Sequence, residues 1–191
     1  MTTAYIYEET GKIVGVRSGN HSSVVIDAEA YGKSYVISDV DANMDTHYVK
    51  VDTKEIVAYP SQPSEGHVFN YGTEEWELDI ALARSNKWKE VKLERQIREL
   101  STFDWNSHTF QCDEISQIRL QAAVQAATID DTISMVWTLA DNSTETFNAT
   151  ELKQIGKALA DHLKVCHDRG RILRGEINAA QNLEELEAVS W

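Results

Sequence analysis

DIALARSNKWKEVKLERQIREL, residues Asp79–Leu100, is the stretch where the pattern of this chain changes. It holds no Gly and no Pro, and it is rich in Leu, Lys, Glu and Arg, which lose little side-chain freedom in a helix. Ile80, Ala83, Lys87, Val91, Glu94 and Arg98 trace one helical stripe. Ala81, Trp88, Leu93, Ile97 and Leu100 put apolar side chains on other faces. Glu94 and Arg98 attract one another at i,i+4, while Glu90 and Glu94 repel. The spacing predicts one long helix over about 80–100. A helix with apolar residues all round suits packing on its own module on one side and on another subunit on the other.

Upstream of Asp79 the periodicity is that of strands. Ala4–Tyr7 and Ile13–Val16 are aromatic and β-branched, and the Glu8–Lys12 segment between them reads as a hairpin turn with Gly11 supplying positive φ. Val24–Ile26, Tyr35–Ile37, His47–Val51 and Glu55–Tyr59 read as further short strands. Both prolines of the chain fall in Tyr59-Pro60-Ser61-Gln62-Pro63, which reads as an extended connector with few contacts across it. His67–Leu78 then reads as an aromatic hairpin with Gly72 in its turn.

Downstream, Phe103–Phe110 reads as a tight hairpin about Asn106-Ser107, and Asp113 as the cap of a helix carrying Ile115, Ile118, Leu120, Ala123, Val124 and Ala127. Ile133–Leu139 and Thr144–Phe147 flank a turn at Asp141-Asn142-Ser143. Asn148 or Thr150 opens the last long helix, with Glu151 placed three residues after Asn148 for a capping box. Leu152, Ile155, Leu159, Leu163 and Cys166 line its apolar side, and Gly170 and Gly175 are expected to break it before a short helix from Leu183 to Val189. The fold class is therefore α+β: a small antiparallel β domain (1–59), a connector with an aromatic hairpin (60–78), and a helix-rich module with hairpins and a long C-terminal helix (79–191).

Composition narrows the function classes. The 191 residues carry 18 Lys+Arg against 31 Asp+Glu, a net charge of −13. Residues 1–79 hold 5 basic and 14 acidic side chains (−9), and residues 80–191 hold 13 and 17 (−4). Nucleic acid is recognised by clustered Lys and Arg, and no such block is present. No apolar run approaches the roughly 18 residues of a membrane span, so no membrane insertion is expected. MTTAYIYEETG has neither the basic nor the apolar region of a secretory signal. Synthesis and assembly in a cytoplasm are expected. Cys112 and Cys166 stand apart, in no CxxC, and suit burial.

Candidate chemistry is sparse. Asp39-x-Asp41-x-Asn43-x-Asp45 has the opening of a calcium loop, but the sharp-turn position is Met44 in place of Gly and the closing position is Lys50 in place of Glu. Asp39, Asp41 and Asp45 are read instead as an exposed acidic docking patch for Lys and Arg. The six His form no HxxxH or HxH pair. His108 and Cys112 lack a third orienting group. No phosphate loop, GxSxG or paired carboxylates stand out. No catalytic residue, metal or cofactor is expected. Of the five Trp, Trp88 on the charged helix and Trp191 at the end are expected to be the most exposed, and are the interface candidates.

Residues 54–191 resemble a module of unknown function that recurs in tail-fibre and tail-associated proteins of tailed bacteriophages. The resemblance rests on ordered pieces: Pro60-Ser61-Gln62-Pro63 before a hairpin ending in Trp76, a charged helix with Arg98, Phe103-Asp104-Trp105, and Phe110-Gln111-Cys112-Asp113 with Ser116. Trp137 with Asp141-Asn142, Thr150-Glu151-Leu152, His162 and Ile177-Asn178-Ala179-Ala180 complete the order. The first 55 residues are similar only in style to small β modules of tail-fibre assembly proteins. The resemblance implies a non-enzymatic virion protein, a tail-fibre or baseplate adaptor working by oligomerisation, with a trimer expected, and by docking to other tail proteins. A tail-fibre assembly chaperone is the alternative, and a host-glycan binding module a distant one.

Overall fold

The computed structural model describes residues 1–191 and divides into two compact units, Met1–Leu82 and Ala83–Trp191. The chain is α+β.

The N-terminal unit begins with β1 (Thr2–Tyr7) and β2 (Ile13–Gly19), followed by α1 (His21–Glu29) and β3 (Ser34–Ser38). These strands form an antiparallel sheet in the order β2-β1-β3. Ala4, Tyr5, Ile6 and Tyr7 are all buried, because β1 is the middle strand and both its faces are covered. On one face Ala4 and Ile6 meet Val24 and Ala28 of α1; on the other Tyr5, Tyr7 and Ile13 meet Val49. The strand expected at Val24–Ile26 is thus a helix. Both edges of β1 are already taken, Asn20 Oδ1 caps the segment by accepting from Ser23 N at 2.9 Å, and Val24 and Ala28 at i,i+4 cover the sheet.

Two further hairpins complete this unit: β4 (His47–Lys50) with β5 (Glu55–Ala58), and β6 (His67–Asn70) with β7 (Glu75–Leu78). All three hairpins of the unit share one turn. Thr10-Gly11, Thr53-Lys54 and Thr73-Glu74 each place the second residue at positive φ (98°, 58° and 59°), with Ile13, Ile56 and Trp76 two residues on. Gly11 is required on two counts: a Cβ there would stand 2.2 Å from Val49 O. That close approach is what lets Val49 N donate to Gly11 O at 2.9 Å, tying the first turn to β4. The β4–β5 and β6–β7 hairpins meet through rings. Phe69 lies 4.9 Å from Tyr48, 4.8 Å from Tyr59 and 5.3 Å from Trp76, and Tyr59 and Tyr71 share a 2.8 Å hydroxyl bond. Trp76 Nε1 donates to Pro60 O at 2.7 Å. Contacts therefore do cross the proline connector, and the aromatic hairpin belongs to the N-terminal unit.

The unit boundary falls in the first turn of α2 (Ile80–Glu99), a helix opened by Asp79, whose Oδ1 accepts from Ala81 N and Leu82 N. The C-terminal unit continues with β8 (Phe103–Trp105) and β9 (His108–Phe110), joined by Asn106 and Ser107, both at positive φ. Then come α3 (Glu114–Ile129), β10 (Ser134–Thr138), β11 (Thr144–Asn148), α4 (Ala149–Ala179) and α5 (Leu183–Glu187). Asp113 caps α3, and Asn148 with Glu151 forms the capping box of α4. One core joins Phe103, Phe110, Leu120, Ala127, Phe147, Leu152 and Ile155. A second joins Ala83, Val91, Leu173, Ile177, Leu186 and Val189. Of the apolar residues carried by α3, Ile115 and Ile118 are 60% and 65% exposed.

Neither glycine breaks α4. Gly170 is buried, and a Cβ there would lie 3.1 Å from Arg95 Cδ, so the glycine makes the room in which Arg95 crosses the helix. Nothing in the structure explains Gly175, whose added Cβ would meet nothing. Gly156 is a close-packing site: its Cβ would stand 2.5 Å from Val124 Cγ2, so α3 and α4 approach along a small-residue seam.

Candidate functional site

A groove with a cavity volume of about 740 Å³ lies among α2, α3 and α4 of the C-terminal unit. Its apolar surface comes from Leu93, Leu100 and Leu163. Lys89, Lys92, Arg95 and His167 supply positive or protonatable groups, against Glu99 and Glu114. Counting His as neutral, three cations face two carboxylates, a balance of +1 in a chain of net charge −13.

The groove is built on the C-terminal end of α2, where helix geometry leaves the last carbonyls without partners. The neighbouring elements satisfy them. His162 Nε2 donates to Arg98 O at 3.0 Å, and Cys112 Sγ donates to Glu99 O at 3.2 Å. Gln117 Nε2 reaches Glu99 O at 3.4 Å and Cys112 O at 2.9 Å. Burial pushes the Cys112 thiol above its ordinary value, and burial followed by the nearby Glu99 carboxylate does the same for Cys166. Both sulfurs thus favour the neutral thiol, the wrong direction for a nucleophile.

Beside that cap, Glu99 Oε1 stands 3.1 Å from Arg95 Nε and 3.2 Å from His167 Nε2. Arg95 Nε and Glu99 Oε1 are buried and make no well-aligned hydrogen bond, so charge alone joins them. Lys89 Nζ donates to Asn86 Oδ1 at 3.0 Å, while Lys92 is exposed and in no ion pair of the unit. Leu93 and Ile97, one turn apart on α2, are 62% and 64% exposed.

The residues singled out in the sequence fall elsewhere. Trp88 is half-buried on the second core, with Arg174 over its ring at 4.6 Å. Trp191 is half-buried on the same core, with Arg98 over its ring at 5.4 Å. Near them Arg169 Nη2 holds Ser190 O at 2.7 Å and Arg84 clamps Ala180 O with Nε and Nη2 (3.2 and 2.6 Å). Asp39, Asp41 and Asp45 are exposed. Between them Asn43 Oδ1 accepts from Asp45 N, Thr46 N and Thr46 Oγ1 at 2.9–3.0 Å, so the amide closes the turn. Tyr5 OH accepts from Ala42 N at 3.2 Å and pins the loop to the sheet. No three His, Cys, Asp or Glu side chains stand together as a metal group would require, and no helix is long and apolar enough to cross a membrane.

A second cleft, of about 680 Å³, lies where the three turns of the N-terminal unit converge, with Glu9, Asp52 and Glu74 at its rim and Tyr48 and Tyr71 beneath. Lys50 Nζ already pairs with Glu74 Oε2 at 2.5 Å there, and that bond holds Lys50 above its ordinary range. Sequence reasoning missed both the groove and the shared turn. The repeated Thr followed by a positive-φ residue was a visible signal for the turn; nothing in the linear order announces that Lys92 and His167 share a wall.

Residues 82–190 match the model of a family described as a domain of unknown function, DUF4376. The match spans more than half of the chain and nearly coincides with the C-terminal compact unit. No curated protein and no solved structure matches this chain.

Proposed function

We propose that this chain, which belongs to the DUF4376 family, is a non-enzymatic structural protein of a bacteriophage tail, an adaptor at the tail fibre or baseplate that works by oligomerisation and docking. The observation that carries the non-enzymatic part is how the perturbed groups are spent. Asp113 is held below the usual carboxylate range by the Ser116 hydroxyl and amide, Asp130 by Thr132, and Asp141 by Ser143. Each of these carboxylates bonds its own cap or turn, and both thiols are pushed toward the neutral form. A catalytic site tunes such groups toward a substrate; here they build helix starts and hairpins. The tail assignment rests on the ordered resemblance of residues 54–191 to tail-associated modules, and the trimer is inherited from that resemblance. Mass spectrometry of purified particles of the encoding phage tests it. The chain at stoichiometric level among virion proteins is the expected result; its presence in infected cells but not in particles would favour the assembly-chaperone reading. Sedimentation of the isolated chain at tens of micromolar checks the oligomer, and a monomer would remove it.

A further inference from the structure

The groove of the C-terminal unit has the dimensions and chemistry of a peptide site. Its α2 wall runs from Lys89 to Leu100, about 16 Å of helix at 1.5 Å per residue. A phosphate or a lone carboxylate would fill a small part of that length, whereas a peptide of three helical turns or five extended residues matches it. The leucines Leu93, Leu100 and Leu163 offer apolar contact along the groove. Leu93 is 62% exposed and lies within the groove wall, so its side chain is available to an apolar partner.

Charge decides the kind of peptide. Over the whole chain acid exceeds base by thirteen, yet this groove gathers Lys89, Lys92 and Arg95 on one helix wall with His167 opposite. Glu99 pairs with Arg95 at 3.1 Å, so those two charges cancel and leave Lys89 and Lys92 against Glu114. Glu114 sits in the first turn of α3, where the helix dipole answers its charge. Lys92 is in no ion pair, and the Arg95–Glu99 contact engages the guanidinium through Nε. The groove therefore retains cationic donors beside its leucines, and a basic segment would be repelled by them.

We propose that this groove is the docking site for an acidic amphipathic segment of a partner protein, with apolar side chains against Leu93, Leu100 and Leu163 and carboxylates on Lys89, Lys92 and the outer nitrogens of Arg95. The inference rests on the docking part of the function proposed above, and it does not depend on the tail assignment.

The test uses the full chain and a fluorescein-labelled peptide of about 14 residues, with Leu at i, i+4, i+7 and i+11 and Glu at most other positions. Saturable binding in fluorescence anisotropy is expected, with amide shifts in the ¹H–¹⁵N spectrum confined to α2, the start of α3 and the middle of α4. Lys89→Glu with Lys92→Glu should weaken binding at least roughly tenfold, and Leu93→Ser several-fold. These side chains are exposed, and an unchanged far-ultraviolet circular dichroism spectrum checks the fold of each variant. A peptide with Lys in place of Glu should not bind. No saturable binding up to millimolar peptide overturns the proposal, as does equal binding of the Lys peptide, binding indifferent to the double charge reversal, or shifts that map elsewhere. If the chain alone forms an oligomer that the double reversal dissociates, the groove belongs to a second copy and the partner segment is ruled out. Absence of the chain from purified particles would sink the tail assignment and leave peptide binding standing; failed peptide binding would do the reverse.

Discussion

The two units solve the same problem, burying enough apolar surface to fold, with different parts. The N-terminal unit is made of hairpins, and its strands are short. Its cohesion comes from turns that can adopt positive φ and from rings: Tyr48, Tyr59, Phe69, Tyr71 and Trp76 lie within about 6 Å of one another along the contact network. Such ring pairs contribute roughly 0.5–1.5 kcal/mol each beyond the area they bury. The C-terminal unit is made mostly of helices, with two hairpins, and its cohesion comes from Leu, Ile and Ala along α4 together with Phe103, Phe110 and Phe147. A hairpin unit is thus sensitive to backbone geometry at a few turns, and a helical unit to volume in its seams.

The largest effect that would sharpen this contrast is expected in the helical unit's first core. Phe110 is 1% exposed and lies 5.3 Å from Phe103 and 5.6 Å from Phe147. Phe110→Ala should cost roughly 3–5 kcal/mol. In urea, helical ellipticity should then be lost at lower denaturant while amide protection in β1 and β4 is retained. Loss of both together would mean that the units unfold as one.

Next in size are the glycines. Gly11→Ala combines φ of 98° with a Cβ 2.2 Å from Val49 O, and strain of this kind costs about 1–3 kcal/mol. The Val49 amide, bonded to Gly11 O, should lose hydrogen-exchange protection first. Gly156→Ala drives a Cβ to 2.5 Å from Val124 Cγ2 and should cost a similar ~1–3 kcal/mol by overpacking. Val124→Ala in the same chain should recover part of the loss, because the clash is with a side chain. No side-chain change can rescue Gly11→Ala, because there the obstacle is backbone. Equal rescue at both sites would break the comparison.

Asn148→Ala removes the cap of α4, whose oxygen accepts from Thr150 N and Glu151 N at 3.0 Å each, and should cost about 1 kcal/mol. The melting midpoint of the helical signal should fall while the hairpin unit is unchanged.

The smallest effect is one of pH. Asp113 is held below its ordinary value, chiefly by the Ser116 hydroxyl. A carboxylate with a depressed folded pKa stabilises fully above its unfolded value, about 3.9, and that contribution is lost as pH falls through the folded value. The urea midpoint of the helical unit should therefore drop below about pH 4. Asp113→Asn keeps a capping oxygen but cannot titrate, so its midpoint should fall less over the same range. An identical acid response in the two chains would remove Asp113 from the account.

Much of the fold is legible in the amino-acid order. α2, the β8–β9 hairpin, the Asp113 cap and the Asn148–Glu151 box were readable because each is set by residues within four positions of one another. The reading of Val24–Ile26 failed for the opposite reason. A Val-Val-Ile run suits strand or buried helix, and the choice was made by the Ala4–Ile6 face it covers. The interface residues were less legible than the fold. Trp88 and Trp191 read as the most exposed of the five Trp; both are half-buried, with Arg174 and Arg98 over their rings. Ile115 and Ile118, apolar residues of α3, face solvent.

The sequence by itself determined the α+β class, the change of periodicity near residue 79, the starts of α2, α3 and α4, the tight hairpin at Asn106-Ser107 and the uneven spread of charge. All follow from local sterics, hydrogen bonding and composition, which act over a few bonds. Tertiary structure alone decided that Gly170 opens a passage for Arg95 rather than ending α4, that Gly11 abuts Val49, and that Lys89, Lys92, Arg95 and His167 line one groove. Those outcomes depend on which helix faces meet across dozens of residues, and pairwise packing at such separations leaves no periodic trace along the chain.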